Sequence, residues 1–204
     1  MIKCCKYGIP VFFRWAGIFH IETNEQALFL TFDDGPSTET TFFILKSLDR
    51  AKAKATFFCS GKQVKEYPEL FAEIKRQNHK IGNHGYNHLN GIKSPNSNYF
   101  EDIEKADKLI QSKIFRPPYG KLKPSQYFNL RKKFQIIFWT VMSQDFDMTT
   151  SWQADFKKII PYLKKGCIIV FHDTGKAKKK LEKLLPAILT YGIEKGFVFK
   201  SLPI

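Results

Sequence analysis

Short apolar runs alternate with longer stretches of helical periodicity roughly seven times along this chain, and that rhythm limits the folds open to it. The apolar runs lie at 27–32 (ALFLTF), 53–58 (AKATFF), 80–84 (KIGNH), 113–115 (KIF), 134–141 (FQIIFWTV), 167–172 (CIIVFH) and 197–202 (FVFKSL). Helical patterns fill 37–50, 67–78, 98–111, 123–133 and 151–163, and a lysine-rich stretch continues to about Thr190. Pro161 is expected to end or kink the helix that contains it. Continuous apolar runs read as strands buried on both faces, which implies a parallel sheet covered by helices. No nucleotide-binding glycine fingerprint follows the first strand. The expected closure is a β/α barrel, irregular because 204 residues fall short of the usual ~250. No linker, repeat or low-complexity segment divides the chain, so residues 1–204 are read as one domain.

In a β/α barrel the C-terminal ends of the strands carry the chemistry. Here Asp33 and Asp34 follow the first strand, and His84 and His88 follow the third. Arg116 follows KIF, Asp145 lies just past 134–141, and His172 with Asp173 ends 167–172. Five strand ends therefore send acidic, basic or imidazole groups to one face.

Each motif has a plain reading. Asp-Gly and Gly-Pro make turns, so DDGP could simply shape a loop. Two histidines four residues apart, as in HGYNH, are often incidental. Together they suggest more. Two neutral imidazoles and a carboxylate form a three-ligand site with positions left open, the pattern of catalytic zinc. An ion there also relieves the repulsion between two adjacent aspartates, leaving the second free as a base. Such an ion polarises a carbonyl and acidifies water to a pKa of about 7.

The ordered set TFDDGP, HGYNH, RPPYG, SQDFD and VFHD resembles the five motifs of the polysaccharide deacetylases, carbohydrate esterase family 4. The resemblance spans 27–202 and implies a distorted β/α barrel with about seven strands. It implies removal of acetyl groups, mostly from N-acetylated sugars in chitin, peptidoglycan or related glycans. By the same resemblance, Asp33 is the general base and Asp34, His84 and His88 bind a divalent metal. That metal is usually zinc, with Co2+, Mn2+ or Ni2+ as alternatives. Arg116 holds Asp33, the Tyr119 N–H helps form the oxyanion hole, and Asp145 orients His172, the general acid. Pro118, Trp139, Phe146 and Val170 are candidate walls of an acetyl pocket. The sequence departs from the family at Gly85, where Ser or Thr is usual. Loss of that bracing hydroxyl implies weaker metal binding. Phe146 and Val170 replace the commoner Trp and Leu, changing pocket shape more than mechanism.

Two other functions fit less well. One is a metal hydrolase of the same fold acting on another C–N or ester bond. The other is a non-enzymatic module gripping an anionic polymer, since 33 basic against 19 acidic residues give a net charge of +14. The lysines are scattered, however, which suits a solvated surface as well, and no nucleic-acid-reading pattern accompanies them. No run reaches the ~18 apolar residues of a membrane span. Residues 1–20 read as part of the domain rather than a signal peptide. That reading points to the cytoplasm, although the family often acts at the cell envelope. Cys59 and Cys167 are expected to be buried thiols, the adjacent Cys4 and Cys5 cannot form a zinc clip alone, and His20 and His79 fit no motif. Asp173 is expected to cap the helix that follows it, and Asp147 to sit in a loop.

Overall fold

The structure is a computed structural model and describes residues 17–204. Cys4, Cys5 and most of the N-terminal stretch considered above lie outside the described residues. The strands are β1 (Ala27–Asp33), β2 (Thr56–Cys59), β3 (Lys80–Asn83), β4 (Ile114–Phe115), β5 (Gln135–Ile136), β6 (Val141–Met142), β7 (Ile168–His172) and β8 (Val198–Phe199). Helices α1 (Thr41–Arg50), α2 (Gly61–Glu66), α3 (Pro68–Arg76) and α4 (Asn96–Ile110) fall between the first four strands. Helices α5 (Pro124–Leu130), α6 (Trp152–Ile159) and α7 (Lys178–Glu194) complete the set. None is long and apolar enough to cross a membrane.

Seven strands follow one parallel path, β5-β4-β3-β2-β1-β7-β6, and β8 pairs with the start of β1. The expected barrel is present and distorted. Residues 134–141, expected to be one strand, are split. Ile137 N–H donates to Phe115 O on the β4 side, whereas Thr140 N–H donates to Ile168 O on the β7 side. This stretch crosses the gap in the barrel, so its two ends pair with different neighbours.

β1 shows why the site sits where it does. Leu28, Leu30 and Phe32 pack outward with Ile44, Leu45 and Leu48 of α1 and with Leu184, Leu185 and Ile188 of α7. Ala27 and Phe29 point into the barrel with Phe58, Phe115, Ile137, Phe138, Ile168 and Val170. The two-residue period then puts Thr31 and Asp33 on the inner face as well. On β7 the same period stacks Ile168, Val170 and His172, and Asp33 is in register with His172.

Pro161 lies in a 3-10 turn, Ile160–Tyr162, that closes α6. Helix α7 runs four residues past the expected end, through Pro186. Cys59 and Cys167 are both buried. His79 is a core histidine whose Nδ1 accepts the Ala55 N–H. Burial, together with the charge of Lys54, lowers its pKa to about 4, so the ring is neutral.

Candidate active site

β1 ends in two adjacent carboxylates that line the same cavity. A continuing strand would send them to opposite faces. Asp34 has φ +78°, a left-handed conformation that aspartate tolerates, and this breaks the alternation. The cavity, about 690 Å³, opens at the C-terminal end of the barrel. Asp33, Asp34, His84, His88, Tyr119 and His172 all reach it.

Asp33 is held from below. Arg116 is fully buried, and its Nη1 lies 2.6 Å from Asp33 Oδ1. Three more of its N–H groups donate to Thr31 Oγ1, Ile137 O and Phe138 O. Burial lowers the Arg116 pKa and Asp33 opposes the shift. Asp33 Oδ2 lies 4.0 Å from His84 Nε2 and faces the cavity group.

Asp34, His84 and His88 each offer one donor atom, all within 4.8 Å of one another. Asp34 Oδ1 is 3.5 Å from His84 Nε2 and 3.1 Å from His88 Nε2. The set fits a divalent cation on two grounds. Asp34 Oδ1 is buried and has no hydrogen-bond partner. His84 Nδ1 lies 2.7 Å from the Arg116 carbonyl oxygen, which can only accept, so Nδ1 carries a proton and Nε2 is the nitrogen turned toward Asp34, where the neutral ring would offer its lone pair to a metal. Burial raises the Asp34 pKa, but the two imidazoles outweigh it and hold the carboxyl well below its usual range.

His172 faces this group from β7. Its Nδ1 lies 2.7 Å from Asp145 Oδ1, and Asp145 Oδ2 accepts the His172 backbone N–H. Burial disfavours the charged ring, but Asp145, then Asp34 and Asp33, outweigh it and raise its pKa to about 9. The Phe146 and His172 rings meet nearly perpendicular, with centroids 4.9 Å apart. Lys180 on α7, itself buried, donates to the carbonyls of Gln144 and Asp147, to Thr150 Oγ1 and to Asp155, and so pins the loop that carries Asp145.

Across the cavity, Tyr119 has φ +61°, and its half-exposed ring packs on His88 with centroids 4.5 Å apart. Trp139 lies over Gly120, where a Cβ would come within 2.6 Å of Cη2.

The structure brings together Asp33, Asp34, His84, His88, Arg116, Tyr119, Asp145 and His172, and places Trp139 and Phe146 on the cavity wall. Two expected wall residues are not there. Val170 is fully buried, one inward layer below His172 on β7. Pro118 is buried near the 84–88 backbone, and Pro117 lines the cavity instead. Nor does Asp173 cap α7, which begins five residues later. Its oxygens accept the hydroxyls of Thr40 and Thr41 at 2.6 and 2.7 Å, so it clasps the segment after DDGP. Burial raises its pKa to about 7, against the two hydroxyl hydrogen bonds. Asp147 is in a loop, as expected.

Sequence reasoning missed Thr31, Lys180 and Asp102. Asp102 had a signal. In α4 the buried positions are Tyr99, Asp102, Ile103, Ala106 and Ile110, so a carboxylate sits in an apolar helical stripe.

A family model described as polysaccharide deacetylase matches residues 20–136. The chain belongs to the polysaccharide deacetylase family. Among similar deacetylases, a peptidoglycan-N-acetylglucosamine deacetylase of Bacillus cereus is 30% identical over 202 residues, covering 93% of this chain and 72% of that protein. A chitooligosaccharide deacetylase of Azorhizobium caulinodans is 29% identical over 167 residues, covering 75% and 76%. The crystal structure of the Bc1960 peptidoglycan N-acetylglucosamine deacetylase superposes with a TM-score of 0.88 at 29% identity, covering 96% of each chain. A family 4 pseudoenzyme from Bacillus anthracis shares the fold with a TM-score of 0.81 at 23% identity, covering 91% of this chain and 67% of that one. Family membership and fold therefore leave activity to be argued from the side chains.

Proposed function

We propose that this deacetylase-family protein is a metal-dependent hydrolase that removes N-acetyl groups from an N-acetylglucosamine-containing glycan, either peptidoglycan or a chitooligosaccharide. One observation carries the reading. Asp33, backed by buried Arg116, and His172, backed by buried Asp145, line one cavity around the Asp34, His84 and His88 group. Asp34, His84 and His88 would hold the ion, with zinc the first choice for a two-imidazole, one-carboxylate set and Co2+, Mn2+ or Ni2+ also compatible. When bound, a divalent ion supplies Lewis acidity toward a carbonyl oxygen.

The chain's own groups do the rest. Asp33 accepts a proton from the attacking water at Oδ2, while Arg116 fixes Oδ1. The Tyr119 N–H is offered to the developing oxyanion, a contribution of about 3 kcal/mol for one such donor. His172 starts as imidazolium, held so by Asp145, and gives its proton to the departing amine. Trp139 and Phe146 supply an apolar wall for the acetyl methyl group. Lys121 and Lys176, also on the cavity lining, favour a glycan that carries carboxylates, which supports peptidoglycan over chitin.

The test is the appearance of free amines when the zinc-loaded protein meets peptidoglycan fragments, chitooligosaccharides and acetylated xylan in parallel. Amines from either N-acetylated glycan support the reading. Acetate released from the ester substrate alone would assign the site to ester hydrolysis instead.

A further inference from the structure

The 84–88 loop supplies two of the three candidate ligands, and its shape is unusual. Gly85 has φ +77° and His88 has φ +57°, so left-handed residues bracket Tyr86 and Asn87. His88 pays a conformational cost there that a glycine would not, so something must hold it. The loop's carbonyls are held by the segment that opens α2. Gly61 N–H donates to Gly85 O at 2.8 Å, and Lys62 N–H donates to Tyr86 O at 3.1 Å.

The amides of Tyr86 and Asn87 are held by one side chain from α4. Asp102 is a buried carboxylate. Its Oδ2 accepts the Tyr86 N–H at 2.8 Å, and its Oδ1 accepts the Asn87 N–H at 3.0 Å and the Asn87 side-chain amide at 2.8 Å. A Cβ on Gly85 would lie 2.9 Å from Asp102 Oδ2. The missing side chain at position 85 and the carboxylate at position 102 thus occupy one space.

We propose that Asp102 is the positioning residue of the metal loop: seated in the space that Gly85 leaves open, its carboxylate fixes the Tyr86 and Asn87 backbone so that His88 meets Asp34 and His84. On this account the carboxylate supplies the brace that a hydroxyl at position 85 would give, and the loop binds metal without one. The inference rests on the metal reading of the site. Groups that orient metal ligands from outside typically change affinity by 10–100-fold when removed.

The test is the Zn2+ dissociation constant, measured by competition with a chelating dye, for wild type, Asp102→Asn and Asp102→Ala. The melting temperature of each metal-free protein is measured beside it. Ile188→Val, a core truncation on α7, serves as a control for lost stability alone. The expected order of affinity is wild type, then Asn, then Ala, with Ala 10–100-fold weaker and the control unchanged. Asn keeps one acceptor oxygen and the shape of Asp, so it remains measurable where Ala does not fold. Co2+ absorption spectra should show altered ligand geometry in the Asp102 variants only. Wild-type affinity in both Asp102 variants, whatever their melting temperatures, would overturn the inference and leave the metal reading intact. A wild-type protein that binds no metal would overturn both.

Discussion

Arg116 Nη1 sits 2.6 Å from Asp33 Oδ1 inside the barrel, and both groups are buried. Three further N–H groups bound to Thr31 Oγ1, Ile137 O and Phe138 O hold the guanidinium in place. Arg116→Leu should therefore destabilise the fold by about 3–5 kcal/mol, because it strands a buried carboxylate. Arg116→Lys should rescue little, since one ammonium cannot replace a fork that reaches four acceptors. Urea unfolding of the two variants checks both statements.

The Asp145–His172 pair predicts the alkaline limb of activity. On the proposed mechanism His172 gives up a proton, so activity should fall as pH rises through its pKa. That pKa is raised from 6.5 to about 9 by Asp145, Asp34 and Asp33 against burial. A cation held by Asp34 offsets the contributions of Asp34 and Asp33, so the limb of the metal-loaded protein should lie between 6.5 and about 9. Asp145→Asn should move it lower still. For stability the sign is the same. A folded pKa above the unfolded value gives stabilisation that is complete below about 6.5 and is lost as pH rises through about 9. A pH–rate profile of both proteins, with imidazole NMR titration, measures these limbs.

Chelation should abolish acetate release without unfolding the chain. The candidate ligands hang on β1 and on a loop held by α2 and α4, so the scaffold does not depend on the ion. Far-UV circular dichroism should be unchanged after metal removal. Readded metal at ~100 times its dissociation constant should return activity and add about 3 kcal/mol of stability.

Lys180 joins α7 to the loop that carries Asp145, and its buried partner is Asp155. Lys180→Met should cost about 3–5 kcal/mol by removing the buried cation that faces Asp155, which is left with exposed Lys158 at 3.6 Å and the Thr150 hydroxyl. Adding Asp155→Leu should recover part of the stability but not the activity, because the Gln144 and Asp147 carbonyls stay unheld. Thermal melts and acetate assays on the single and double variants separate the two effects.

The fold was legible because β1 and β7 are unbroken apolar runs that can only be buried strands. The reactive groups were legible because their motifs sit at strand ends, within a few residues of an apolar run. Two kinds of feature were not. Residues 134–141 read as one strand because periodicity carries no information on which neighbour each end will meet. The supports Thr31, Asp102 and Lys180 act on partners 15 to 85 residues away in sequence, so no local pattern names those partners, and only Asp102 left a local mark, as a carboxylate in the apolar stripe of α4. Asp173 was misplaced for a related reason. Its neighbour in sequence is a helix, but its partners in space are Thr40 and Thr41.

The central claim is that Asp33 is the base of a deacetylase. Its most direct test is acetate release from peptidoglycan fragments and N-acetylglucosamine oligomers by the zinc-loaded protein, with Asp33→Asn alongside. Asn keeps the shape of Asp and cannot take the proton. The account predicts acetate from wild type and a rate at least ~100-fold lower from the variant. Equal rates from the two proteins, with zinc bound to both, would contradict it.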